Sequence, residues 1–162
     1  VTTILSRFDV GLPARVTNID RLTARPLLKP RLDTVIAHYT GVKRSYATAD
    51  LNKTIAQIHR WRANEYNFVI HMDGRIAEFA GRHRAAHCAG RNDSAYGILF
   101  LNGVPDACTD AQVVSFRWLM DVLKWTQAIT PDAVVIQHGQ VAKTACPGRI
   151  KERWQELIAV AA

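Results

Sequence analysis

The sequence predicts a single α/β domain in which a mixed central sheet of about five to six strands is flanked by helices. Three observations carry that prediction. Apolar runs of strand length alternate with helix-period segments in the order β-α-β-β-β-α-β-α. Asp73-Gly74 lies between two of the short runs, a strong hairpin signal. A length of 162 residues, 48% hydrophobic and 22% charged, suits one domain with its own core rather than a disordered chain. No apolar run approaches the ~20 residues of a membrane span.

Taken in order, residues 1–31 hold Pro13, Pro26 and Pro30 with scattered arginines and little periodicity. They read as an N-terminal strap or linker remnant, and the folded domain is expected over 32–162. Residues 32–37 form a strand ending at His38-Tyr39-Thr40-Gly41. A helix is expected over 48–63, with Leu51, Ile55 and Ile58 on its buried side. Residues 67–72 and 75–80 make the hairpin, and 81–94 form a polar loop rich in arginine and histidine. Residues 96–101 are another strand, closed by Asn102-Gly103. Thr109 and Gln112 have capping-box spacing, opening a helix with Phe116, Leu119, Met120 and Leu123 on one face. Beyond Pro131, the run Ala133-Val134-Val135-Ile136 reads as a buried strand. Ile150, Trp154, Leu157 and Ile158 are spaced like one face of a terminal helix.

Charge and cysteine content narrow the class. The chain carries 21 Lys and Arg against 14 Asp and Glu, a formal net charge of +7, and eight of the basic but three of the acidic residues fall in positions 1–44. Such an excess suits nucleic acid, an anionic membrane or an acidic cell wall, and alone selects none of them. A nucleic-acid binder would interleave aromatics with Lys or Arg on an exposed sheet face, whereas these strands read as buried. Cys88, Cys108 and Cys146 are odd in number and widely spaced, which argues against a disulfide framework. Cys88 and Cys108 read as free buried thiols. The sequence starts at Val1 without the basic-then-apolar order of a signal peptide, as in a processed protein or an excised domain.

The densest chemistry lies between His138 and Cys146. His38 and His138 each end an apolar strand. If those strands are parallel neighbours, both imidazoles reach the same rim, where sites gather in open α/β sheets. Cys146 stands at the entry of the last helix, where the dipole is expected to favour its thiolate. Three such donors leave a fourth tetrahedral position open, the layout of a catalytic rather than a structural zinc. On the residues alone, a plainer reading as two polar strand ends and one buried thiol is equally open.

A resemblance adds to this. His38-Tyr39-Thr40, then Tyr66-Asn67-Phe68-Val69-Ile70 with Asp73-Gly74-Arg75-Ile76, come first. His87-Cys88-Ala89-Gly90 with Asn92 and Tyr96-Gly97-Ile98 follow, and His138 with Cys146-Pro147-Gly148 close the series. In that order they resemble the zinc-dependent N-acetylmuramoyl-L-alanine amidases of type 2, the superfamily of peptidoglycan recognition proteins and phage endolysin amidases. The likeness spans about residues 32–158. It implies the fold of that superfamily and one zinc ion per chain, held by His38, His138 and Cys146. It also implies hydrolysis of the amide joining N-acetylmuramic acid to L-alanine of the peptidoglycan stem peptide. Tyr66 matches a tyrosine that lines the family site. Thr144 falls where the family has a catalytic lysine or threonine, with Lys143 next door. His87 and Asn92 lie in the loop matching the family's substrate cleft, so they and Lys143 are candidate substrate contacts.

Two departures mark a branch. Some members carry a glutamate base in the strand matching 96–101, where this chain has Leu99, and many have aspartate where it has Gln140. The first favours a tyrosine-based mechanism; the second implies altered support around the metal. His59, His71 and His83 read as surface or packing residues, Glu78 as a partly exposed strand glutamate, and Trp61, Trp118, Trp125 and Trp154 as packing residues. The basic loop from Arg82 to Arg91 either grips an anionic wall polymer or is a solvated face. The implied setting is the catalytic module of a phage endolysin. It would be made in the host cytoplasm and act on the bacterial cell wall as a monomer, any further endolysin domains lying outside this chain. The partner is peptidoglycan, with no nucleic acid and no membrane span. The rival is a recognition domain that holds muropeptides without cutting them, but non-catalytic relatives lack the cysteine ligand, which is present here as Cys146.

Overall fold

The structure is a computed structural model, and it describes residues 4–5, 26–47 and 65–159. The helix expected over 48–63 lies outside the described residues, as do His59 and Trp61. Six strands form one mixed sheet: β1 (Ile4–Leu5), β2 (Leu32–Tyr39), β3 (Phe68–Ile70), β4 (Ile76–Glu78), β5 (Tyr96–Phe100) and β6 (Ile129–Gln137). Their order across the sheet is β1-β4-β3-β5-β2-β6, with only the β3–β4 hairpin antiparallel. The mixed sheet and single α/β domain expected from the sequence are present. Of residues 1–31, Ile4 and Leu5 pair with Ile76 and Ala77, and Leu28 is buried in the main core.

Strand period explains which side chains face which layer. Val35 and Ala37 of β2, Phe68 and Ile70 of β3, and Tyr96, Ile98 and Phe100 of β5 point into one core. There they meet Val113, Phe116, Leu119, Met120 and Leu123 of helix α1 (Asp110–Trp125). The intervening residues turn to the other face, where Leu99 and Val69 pack with Tyr46, Tyr66 and Leu101. His38, two residues beyond Ile36, belongs to this second face, away from α1.

Helix α1 starts as its sequence dictates. Thr109 accepts from the Gln112 amide (3.1 Å) and Gln112 accepts from the Thr109 amide (3.2 Å), closing the capping box. Gln112 is then fully buried, donating to the Ile70 carbonyl (3.1 Å) and to Asn102 (2.6 Å), which ties the helix to the strand ends.

Three expectations are corrected. β6 is not a buried strand but an edge strand, and its Val134 is 55% exposed. Pro131 has no N–H to give a ladder, which confines it to an edge. The β2–β6 pairing slips between Leu32↔Ile129 and Thr34↔Val134, and Pro131 sits in that slip. Trp125 does not pack: it ends α1 and is 85% exposed, whereas Trp118 and Trp154 do lie against the main core. The terminal helix is in fact a 3₁₀ segment (Gly148–Arg153) running into the short helix α2 (Trp154–Ile158). Ile150 and Leu157 are buried as expected, the Arg149–Glu152 pair follows the three-residue repeat of the 3₁₀ turn, and the Arg153–Glu156 pair links that turn to α2. Cys88, Cys108 and Cys146 are all free thiols.

Candidate metal centre

β2 and β6 run parallel in adjacent positions, and their last paired residues are Ala37 and Gln137. The next residue on each strand is a histidine. His38 and His138 therefore leave the sheet side by side, ring centroids 4.4 Å apart. After His138 the chain turns through a short 3₁₀ segment (His138–Gln140), and the Gly139 amide donates to the Cys146 carbonyl (2.8 Å). That bond returns Cys146 to the rim. Its Sγ lies 3.8 Å from His38 Nδ1 and accepts from the Tyr39 amide at 3.4 Å. A Cβ on Gly148 would stand 2.3 Å from the Tyr39 ring, so the close return also needs glycine at that position.

The donor atoms of His38, His138 and Cys146 all lie within 4.8 Å of one another. Zinc–ligand bonds of about 2.0–2.3 Å in tetrahedral array put ligand atoms about 3.5 Å apart. The Sγ–Nδ1 pair nearly meets that spacing, and two imidazoles with one thiol form a donor set zinc takes readily. The residues fit the metal.

Electrostatics favour lone pairs on the nitrogens. Burial, then the neighbouring His87 and His138, lowers the His38 pKa to about 2. His138 is also lowered by burial. At neutral pH both rings are uncharged and able to ligate. Cys146 is different: burial pushes its thiol up to about 11, only partly offset by the Tyr39 amide. The direction is opposite to the thiolate expected at a helix entry, because the sulfur is buried. A metal must displace that proton.

The other expected site residues divide. Tyr66 is buried, with a left-handed backbone (φ 57°), and its ring meets His38 edge-on at 5.1 Å between centroids. Thr144 is exposed beside the rim, its hydroxyl accepting from the Cys146 amide (3.2 Å). Lys143 is exposed on the same loop. Gln140, puzzling in sequence, accepts from the Gln137 amide (2.6 Å) and closes the turn after β6. Leu99 pairs in register with His38 and is fully buried, so no carboxylate stands there. Asn92 uses its side-chain oxygen to bind the His87 and Cys88 amides (2.9 Å each), the loop-closing role. His71 is buried, as packing requires, and His83 and Glu78 are half-buried. In the basic loop Arg84 pairs with Asp93 (2.5 Å).

Two features escaped the sequence. His87 reaches His38, Nδ1 to Nε2, at 3.2 Å. Asn67, fully buried, donates to the Gly81 and His83 carbonyls (2.8 and 2.9 Å) and accepts from the Gly97 amide (2.8 Å). A buried asparagine beside a strand signals such a network, but not its partners.

With this geometry in place, known proteins supply the deciding comparison. The sequence profile described as N-acetylmuramoyl-L-alanine amidase matches residues 28–149. The chain belongs to this amidase family. This family member is 30% identical over 139 residues to the endolysin of Escherichia phage T7, covering 76% of this chain and 85% of that protein. It is 28% identical over 131 residues to a peptidoglycan-recognition protein of Drosophila melanogaster, covering 76% and 72%. Among solved structures, Drosophila peptidoglycan recognition protein SD matches with a TM-score of 0.81 at 15% identity, covering 99% of this chain and 98% of that one. Peptidoglycan recognition protein LE, in complex with tracheal cytotoxin, a monomeric diaminopimelic acid-type peptidoglycan, matches at 0.77 and 24%, covering 98% and 95%. These structures share the fold. No helix among the described residues is long and apolar enough to cross a membrane.

Proposed function

We propose that this chain cleaves the amide between N-acetylmuramic acid and L-alanine of the peptidoglycan stem peptide, using one zinc ion held by His38, His138 and Cys146. The observation that carries this reading is the convergence of the three donors within 4.8 Å, the cysteine included. Zinc in such a site supplies a Lewis acid and lowers the pKa of water to about 7. The chain's own residues do the rest. The edge-on contact of the Tyr66 ring with His38 supports a role for its hydroxyl as donor to the oxyanion that develops on the scissile carbonyl and as a source of the proton for the leaving amine. The Thr144 hydroxyl accepts from the Cys146 amide and is exposed, which supports a role for it as the assisting residue beside the ligand cysteine. Residues 32–162 would then make up the catalytic domain, with 1–31 as a strap.

The endolysin of phage T7 as a relative supports a role as the catalytic module of a phage endolysin, acting on the bacterial wall; we propose that it does so as a monomer. A second reading is a non-catalytic muropeptide-binding domain, supported by the recognition-protein relatives. Cys146 favours the first. The test is zinc content and release of L-alanine N-termini from purified peptidoglycan, for the parent chain and Cys146→Ala. The expected result is about one zinc per chain, with metal and hydrolysis both lost in the variant. Full hydrolysis by metal-free protein, or zinc without hydrolysis, overturns the reading.

A further inference from the structure

His87 lies on the loop before β5, and both of its ring nitrogens are engaged inside the protein. Nδ1 is 3.2 Å from His38 Nε2, and Nε2 is 3.1 Å from the Ala95 carbonyl oxygen. A carbonyl only accepts, so Nε2 of His87 carries the proton. In a neutral imidazole the other nitrogen is then bare, and Nδ1 of His87 must accept from His38 Nε2–H. His38, in turn, is left with a bare Nδ1, and that is the atom facing Cys146 Sγ at 3.8 Å. Each link forces the next. The opposite arrangement would point an N–H of His38 at the cysteine and block ligation.

The ring of His87 is held in place to do this. Its own amide and that of Cys88 are bound by Asn92 Oδ1, which fixes the loop. Gly97 passes beneath it so closely that a Cβ would lie 2.4 Å from Cγ. Asn67 Oδ1 accepts from the Gly97 amide and holds that strand residue in place. Two strands, one loop and two asparagines thus locate a residue whose nitrogens have no spare valence for a substrate.

We propose that His87 is a positioning residue: it accepts from His38 Nε2–H and so selects the tautomer of His38 whose Nδ1 is free to ligate. Its consequence for zinc rests on the metal site proposed above, whereas the tautomer itself does not. Partners of this kind change metal affinity by about 10–100-fold when removed.

The test has two arms. In the first, long-range ¹H–¹⁵N imidazole spectra of the metal-free parent at neutral pH report the His38 tautomer directly. The expected result is Nε2–H on both His38 and His87; Nδ1–H on His38 overturns the proposal. In the second, zinc affinity is measured by chelator competition for the parent, His87→Ala and His87→Asn. The alanine variant should lose about 10–100-fold, and the asparagine variant, whose side-chain oxygen replaces the Nδ1 acceptor, should recover most of it. Equal weakening of both variants, or a raised KM with unchanged zinc affinity, overturns the proposal. A parent chain that binds no zinc overturns the metal site, and the spectra still decide the role of His87.

Discussion

Gly97 lies so close beneath His87 that a Cβ on it would stand 2.4 Å from the ring, although its backbone needs no glycine-specific conformation. The constraint is space. Gly97→Ala should therefore push His87 off His38, weakening zinc binding about as much as His87→Ala, while overpacking costs about 1–3 kcal/mol. Chelator competition and denaturant midpoints measure the two effects on one sample.

Metal binding should release a proton. Burial holds the Cys146 thiol protonated up to about pH 11, while His38 and His138 are already neutral near pH 7. Zinc affinity is expected to rise about tenfold per pH unit between about pH 7 and 9 as the thiol proton becomes easier to remove. Calorimetry in buffers of different ionisation enthalpy reads the proton directly; a pH-independent affinity would contradict the thiol's state.

Acid should unfold the protein partly through His71. Neither of its ring nitrogens has a hydrogen-bond partner among the described residues, and burial lowers its pKa to about 4. The unfolded chain takes up this proton near pH 6.5, the folded chain only near pH 4. Stability from His71 is thus intact above pH 6.5, falls as pH drops toward 4, and levels off below it. The loss is about 2 kcal/mol by about pH 5. Denaturant titrations of metal-free protein should show a shallower acid slope for His71→Leu than for the parent.

Asn67 should be hard to replace. Asn67→Ala strands two carbonyls and the Gly97 amide in the interior, and should cost about 3–5 kcal/mol in denaturant unfolding. Asn67→Asp keeps the acceptor but turns a carboxylate oxygen toward two carbonyls. It should rescue nothing.

Local signals were legible in the sequence where local chemistry decides the outcome. The Thr109–Gln112 capping box and the Asp73-Gly74 turn need no distant partner, and both formed as their residues dictate. The three candidate donors were legible because strand ends and their polar residues are visible in a linear pattern. The position of β6 was not: an apolar run such as 133–136 does not say whether one edge or two will be paired. Nor was His87 against His38, a contact across 49 positions that depends on β5 lying beside β2. The Cys146 thiol was misjudged because depth of burial, which a linear pattern does not show, raises its proton affinity.

The pairing of β2 with β6 makes the candidate centre a late product of synthesis. His38 and Cys146 are 108 positions apart, and the rim exists only once β6 has docked on β2. Closing so long a span carries a loop-entropy cost, and N-terminal segments emerge and begin to fold first. A nascent chain that stops before β6 holds one donor of three. Under the proposed function, a prematurely terminated product is harmless to a cell wall, and hydrolytic capacity switches on only after the ribosome has passed Cys146 and the edge strand has docked.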